Sequence, residues 1–245
     1  MNPREAPPLL PPLDGVTGSQ ARTVLLASAA VTILLYLLPY GELLSRPFLL
    51  LSTLAHEMGH GLTALLLGGR FQRFSMWSNG AGVTEMDLAG FGRIRQALTI
   101  AGGLVGPAVA AALFFTLGRT SRGAHMCLLV LGLLLVVAEI LVVRNVFGFV
   151  FVGVVAAACL LVALRGTPSV AQMCVVFVAV QLSLSVFSRA DYLFVREARN
   201  PTGVYSSDVQ RIAELFWLPY WIWGILCGAL SLAALAWGVR VFWKK

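Results

Sequence analysis

His56-Glu57-Met58-Gly59-His60 holds two of the three histidines in the chain. On a helix, residues four apart share a face, so His56 and His60 can offer two ring nitrogens to one metal ion. Glu57 would then lie beside that ion, placed to take a proton from bound water. This is the H-E-x-x-H zinc pattern. It falls inside a long apolar run, Pro47 to Leu67, where two histidines and a glutamate are costly and usually functional.

A catalytic zinc site takes three protein ligands and keeps one position open for water, so a further ligand must come from another element. Asp208 lies in Tyr205-Ser206-Ser207-Asp208-Val209-Gln210-Arg211-Ile212, shortly before the last apolar segment. A Ser or Asp there can equally cap a helix N-terminus. Glu139 lies within an apolar segment and calls for a partner, with Arg144 nearby. His125 adjoins a basic loop and reads as an interface residue. Asp191, Glu85 and Asp87 are further carboxylates without distinguishing context. Residue types alone leave the choice open.

The elements that must position these groups are set by composition. Hydrophobic residues make up 58% of the 245 positions and charged ones 12%, against about 25% charged in soluble domains. Too few polar residues remain for a water-soluble domain of any size. Apolar segments run over about 23–40, 47–67, 97–118, 125–143, 146–164, 170–188 and 217–241, each near the length that spans a bilayer. The chain is therefore expected to be an all-α polytopic membrane protein of about seven transmembrane helices, with the bilayer as its solvent. The Pro-rich stretch 1–20 lacks the layout of a cleaved signal peptide and reads as a disordered tail. Residues 21–245 read as a single membrane domain.

Two connections are more than turns. After Gly68-Gly69, a helix C-cap signal, residues 70–86 mix polar and aromatic side chains around Asn79-Gly80. That pattern predicts a β-hairpin, and at membrane depth such backbone must lie in protein or line a cavity. The connection 189–216 is the most charged part of the chain. With seven spans, the N-terminus, 68–96, 144–145 and 189–216 share one side and hold eleven of the 18 Lys and Arg, which places that side in the cytoplasm. The end of the metal-motif helix and the Asp208 connection thus emerge together. Basic residues at segment ends also account for the net charge of +7 without nucleic acid as a partner. Cys127, Cys159, Cys174 and Cys227 are isolated in apolar runs and read as core residues.

Ala55-His56-Glu57-Met58-Gly59-His60-Gly61-Leu62-Thr63-Ala64, followed by Gly68-Gly69-Arg70, resembles the site-2 protease family of intramembrane zinc metallopeptidases, most of all its small bacterial members. The resemblance implies zinc held by His56 and His60, Glu57 as the catalytic residue, and the hairpin at 70–86 as a membrane-associated β element. Ala101-Gly102-Gly103-Leu104-Val105-Gly106-Pro107 resembles that family's next helix, and Gly102 and Gly106 by themselves make a small-xxx-small packing surface. A distant aspartate completes the family's zinc site, commonly in a segment ending Leu-Asp-Gly. Here Leu13-Asp14-Gly15 lies before the first span, in the wrong order. The Ser-Ser-Asp segment at 206–208 better resembles the late aspartate of the small bacterial branch, which implies Asp208 as the metal ligand.

The expectation is an intramembrane zinc peptidase of a bacterial cell membrane, acting on membrane-protein or peptide substrates. A membrane zinc hydrolase acting on lipid amides or esters and a non-catalytic metal-binding membrane protein are the alternatives. An intact Glu57 weighs against the last, since a structural zinc site needs no general base.

Overall fold

The computed structural model describes residues 18–38, 41–188, 190–201 and 203–243. In chain order they form α1 (Gly18–Leu37), α2 (Gly41–Leu66), β1 (Arg70–Met76), β2 (Gly82–Asp87), α3 (Arg93–Leu117), α4 (Ser121–Leu141), α5 (Val146–Arg165) and α6 (Pro168–Ser188). A 3-10 turn (Ala190–Phe194), β3 (Glu197–Asn200), β4 (Gly203–Ser206), α7 (Asp208–Phe216) and α8 (Tyr220–Trp243) follow. The expected tail lies outside the described residues except for its last three positions, which open α1 instead.

Among the described residues, each of the seven apolar segments falls mainly within a helix. Five helices among the described residues are long and apolar enough to cross a membrane: α3, α4, α5, α6 with the turn after it, and α8. Within α1 the apolar stretch among the described residues is Leu25–Leu34, and α2 carries Arg46, His56, Glu57 and His60 in its interior, so composition alone does not make these two spans. Outward-facing Leu133, Leu134, Val137 and Ile140 on α4, with Phe149, Val150 and Val154 on α5, give the helices an apolar surface suited to lipid and unsuited to water. The four cysteines are free, and three are buried.

Helices α2 and α3 pack backbone to backbone. A Cβ on Gly59 would come 2.3 Å from the Gly102 carbonyl oxygen, one on Gly102 2.2 Å from Thr63 Oγ1, and one on Gly106 2.9 Å from the Ala55 oxygen. The small-xxx-small surface read from the sequence thus serves the helix that carries the metal motif.

Gly68, at φ +90°, ends α2. Its N–H bonds to Leu65 O, and Gly69 N–H reaches back to Ala64 O, which is a Schellman C-cap. The chain then turns back along α2 as the expected hairpin, with β1 antiparallel to β2 and a bulge between Phe71 and Arg73. Gly80, at φ +86°, makes its turn, and Asn79 Oδ1 accepts from Ala81 N–H. Thr53 Oγ1 donates to Gly80 O at 2.7 Å, and Thr84 Oγ1 donates to Glu57 O at 3.1 Å. On its other side β1 meets the α4–α5 turn: Phe74 N–H donates to Val142 O, and Arg144 N–H donates to Phe74 O. Asn145 Nδ2 donates to Met76 O, while its Oδ1 accepts from Met76 N–H. Phe74 and Met76 are fully buried there among Leu50, Leu54, Leu135, Val143 and Val152. The hairpin is therefore part of the core.

Candidate metal centre

His56 and His60 project from α2 as the i, i+4 pair predicts, with ring centroids 4.7 Å apart. Asp208 comes from 148 residues further along the chain, carried by α7. That short helix is amphipathic. Val209, Ile212 and Ala213 are buried, with Val209 and Ile212 packing against Ala97, Ile100 and Leu104 of α3 and Cys227 of α8, while Arg211 and Glu214 face outward. Seating this apolar face turns the first residue of α7 inward, towards α2.

The capping ambiguity resolves by division of labour. Ser207 is the N-cap: its Oγ accepts from Gln210 N–H at 3.2 Å and donates to Val195 O at 2.6 Å. Asp208, one position later, is left to face the histidines. Its Oδ2 lies 3.1 Å from His56 Nε2 and 3.2 Å from His60 Nε2, and the two Nε2 atoms are 3.2 Å apart.

Three donors at these spacings fit a metal ion. Zinc bonds of about 2.0–2.1 Å in tetrahedral geometry set neighbouring ligand atoms about 3.3 Å apart. The hydrogen bond behind His60 agrees. His60 Nδ1 faces the Thr99 carbonyl at 3.1 Å, so the proton of the neutral ring belongs on Nδ1, which leaves the Nε2 lone pair pointing at the cluster. With that lone pair 3.2 Å from the Asp208 carboxylate oxygen and from the second imidazole, a metal ion among the three donors would satisfy them all. Space is tightly matched too: a Cβ on Gly103 would stand 2.1 Å from His60 Nε2. Among the described residues, His56, His60 and Asp208 form the group that could hold a metal.

Glu57 is buried and lies outside that ligand group. It packs under β2, where a Cβ on Gly82 would come 2.8 Å from Glu57 Oε1. Glu57, the triad and β2 line one cavity of about 740 Å³, closed elsewhere by Leu104 and Pro107 of α3, Ser185 of α6 and residues of β3 and β4.

The other sequence candidates lie elsewhere. Glu139 is set against Gly153 of α5. Arg144, considered as its partner, donates to the Val143 and Leu141 carbonyls. His125 is buried, with its ring nitrogens facing the Ser121 and Gly166 carbonyls. Glu85 lines the cavity but pairs with Arg73 at 3.7 Å. Asp87 accepts from Ala89 N–H, Asp191 is exposed on the 3-10 turn, and Asp14 lies outside the described residues.

Two parts of the site escaped the sequence reading. The β3–β4 hairpin, paired from Glu197↔Ser206 to Asn200↔Gly203, had a usable signal in Asn200-Pro201 and Gly203, the last at φ +150°. Tyr192 had none. Its hydroxyl is 3.5 Å from Asp208 Oδ2, and its ring packs edge-on against His56 with centroids 5.7 Å apart.

Membrane-crossing helices around an internal His–His–Asp cluster define an integral membrane protein with the donor set of a metal centre. A model of the Peptidase M50B-like family matches residues 26–238, and the chain belongs to that family. It is thus a membrane-embedded member of a metallopeptidase family. No curated protein and no solved structure matches the chain.

Proposed function

We propose that this protein is an intramembrane zinc endopeptidase that hydrolyses peptide bonds of membrane-protein substrates, with His56, His60 and Asp208 as the metal ligands and Glu57 as the general base. The observation that carries the proposal is the meeting of three donors 3.1–3.2 Å apart at a cavity that also holds Glu57. Zinc bound there would polarise the scissile carbonyl and acidify a water molecule. Glu57 takes a proton from that water as its oxygen adds to the carbonyl carbon, and the carbonyl π electrons move to oxygen. When the carbonyl re-forms, the C–N bond breaks and Glu57 returns the proton to the departing amine.

Helical peptide carbonyls are already hydrogen-bonded, so the substrate must be locally extended before attack. The first hairpin supplies a surface for that. β1 is held on both sides, by β2 and by the α4–α5 turn, whereas among the described residues β2 pairs with β1 alone and runs along the cavity. An extended substrate segment would add to β2 as a further strand. Ser52 and Ser185, hydrogen-bonded at 2.9 Å, and buried Ser231 give the cavity a polar floor among the helices, suited to holding the water that hydrolysis consumes.

The test is metal analysis of detergent-purified full-length protein. Wild type is expected to carry about one equivalent of zinc, as a three-ligand site does, and His56→Ala and His60→Ala to lose most of it. Unchanged metal in a folded His56→Ala/His60→Ala double variant overturns the assignment.

A further inference from the structure

The scheme above has a base and a ligand set but no protein group to stabilise the carbonyl oxygen as it becomes negative. Hydrogen-bond donors already aimed at developing charge are among the largest contributors to catalysis. We propose that Tyr192 is that donor, its phenol O–H bonding the carbonyl oxygen in the transition state. The inference rests on the peptidase reading.

Tyr192 lies on the 3-10 turn between α6 and β3 and lines the cavity. Its hydroxyl is 3.5 Å from Asp208 Oδ2, the same oxygen that faces both histidine Nε2 atoms. A substrate oxygen entering the open position of the site would be another neighbour of Oδ2. At 3.5 Å the present contact is long for an O–H···O bond, so a better-placed negative oxygen can win the proton from Oδ2. The ring's edge-on contact with His56 keeps the phenol beside the histidine pair. Arg211 approaches the opposite carboxylate oxygen, Oδ1, at 3.8 Å and is half exposed at the cavity rim. Tyr192 is therefore a neutral donor that touches the triad. During addition its O–H strengthens a bond to the oxygen receiving the π electrons, and it relaxes when the C=O re-forms; no proton leaves the phenol.

Tyr192→Phe in full-length protein reconstituted in nanodiscs keeps the ring on His56 and removes only the hydroxyl. Two measurements separate oxyanion stabilisation from a mere bond to Asp208. Zinc affinity, by chelator competition, is expected to stay within about twofold, while kcat for a membrane-peptide substrate falls about 10²–10³-fold with KM nearly unchanged, the loss typical of one oxyanion donor. A phosphinic-peptide analogue, which carries the tetrahedral anion, is expected to bind Tyr192→Phe more weakly by a similar factor, while uncleaved peptide binding to Glu57→Gln and to Glu57→Gln/Tyr192→Phe is alike. Weakened zinc binding in Tyr192→Phe, or undiminished phosphinate affinity, overturns the oxyanion role and leaves the peptidase reading standing. Zinc-loaded wild type that cleaves no membrane peptide overturns the peptidase reading and this inference with it.

Discussion

Ser207 and Asp208 divide two duties that neighbouring residues at a helix start compete for. Because Ser207 holds the cap, the two roles separate by mutation. Asp208→Asn removes a charged donor without touching the cap, and is expected to leave the fold intact while lowering metal affinity at least about tenfold, the low end for disturbing even an outer-shell partner of a metal site. Ser207→Ala is expected to do the converse, costing about 1 kcal/mol of stability while leaving zinc content near that of wild type. Thermal unfolding and metal analysis on the same preparations read both. Glu57 has its own test: Glu57→Gln should keep its metal and lose cleavage by at least about 10²-fold, the scale of general acid–base catalysis; full activity would reject it as the base. At this scale the two histidines and the glutamate were legible because helical period and chemistry converge on five consecutive residues. Asp208 was legible only as one carboxylate among several, since nothing in its local sequence says what α7 packs against. Tyr192 was invisible, being defined by contacts with residues from two other elements.

The elements act on the site through their packing. Glycines let α3 approach α2 closely enough for the Thr99 carbonyl to accept a hydrogen bond from His60 Nδ1–H. Gly103→Ala would place a methyl 2.1 Å from His60 Nε2, and the ring has little room to yield because Thr99 holds its far side. Loss of zinc with a largely folded protein is the expected outcome; normal zinc content would mean that α3 shifts without cost. The first hairpin is tied down differently, by the two hydrogen bonds between Asn145 and Met76. Asn145→Ala leaves Met76 N–H and C=O unpaired in a mostly buried place, at about 1–3 kcal/mol per unsatisfied group. It is expected to loosen the hairpin and lower cleavage while sparing the metal, with faster limited proteolysis near 77–81 as the direct readout. The hairpin itself could be read from Asn79-Gly80 between alternating residues, since turn chemistry is local. Its docking on the α4–α5 turn could not, because the bridge pairs Phe74 with Val143, and no sequence period links positions so far apart.

At the scale of the whole molecule, the reading of seven apolar segments rests on hydropathy, and five helices meet the requirement for a span by length and composition. Of the two that do not, α2 has its hydropathy lowered by Arg46, His56, Glu57 and His60, three of them in the motif itself. The geometry nonetheless agrees with the parity of a seven-span chain. Three connections assigned to one side, 68–96, 144–145 and 189–216, come together around the cavity: the hairpin bonds to the α4–α5 turn, and both the hairpin and the Asp208 connection line the same space. Had α4 and α5 been one continuous span, 189–216 would have emerged opposite the hairpin and Asp208 could not have met His56. On the seven-span reading eleven of the 18 basic residues fall on that side, so the cavity is expected to open to the cytoplasm. Reporter fusions truncated after Arg73 and after Arg199 test this directly. Both are expected to give the cytoplasmic signal; two external signals would invert the orientation and keep the architecture, whereas opposite signals would contradict the shared side on which the His56–Asp208 contact depends.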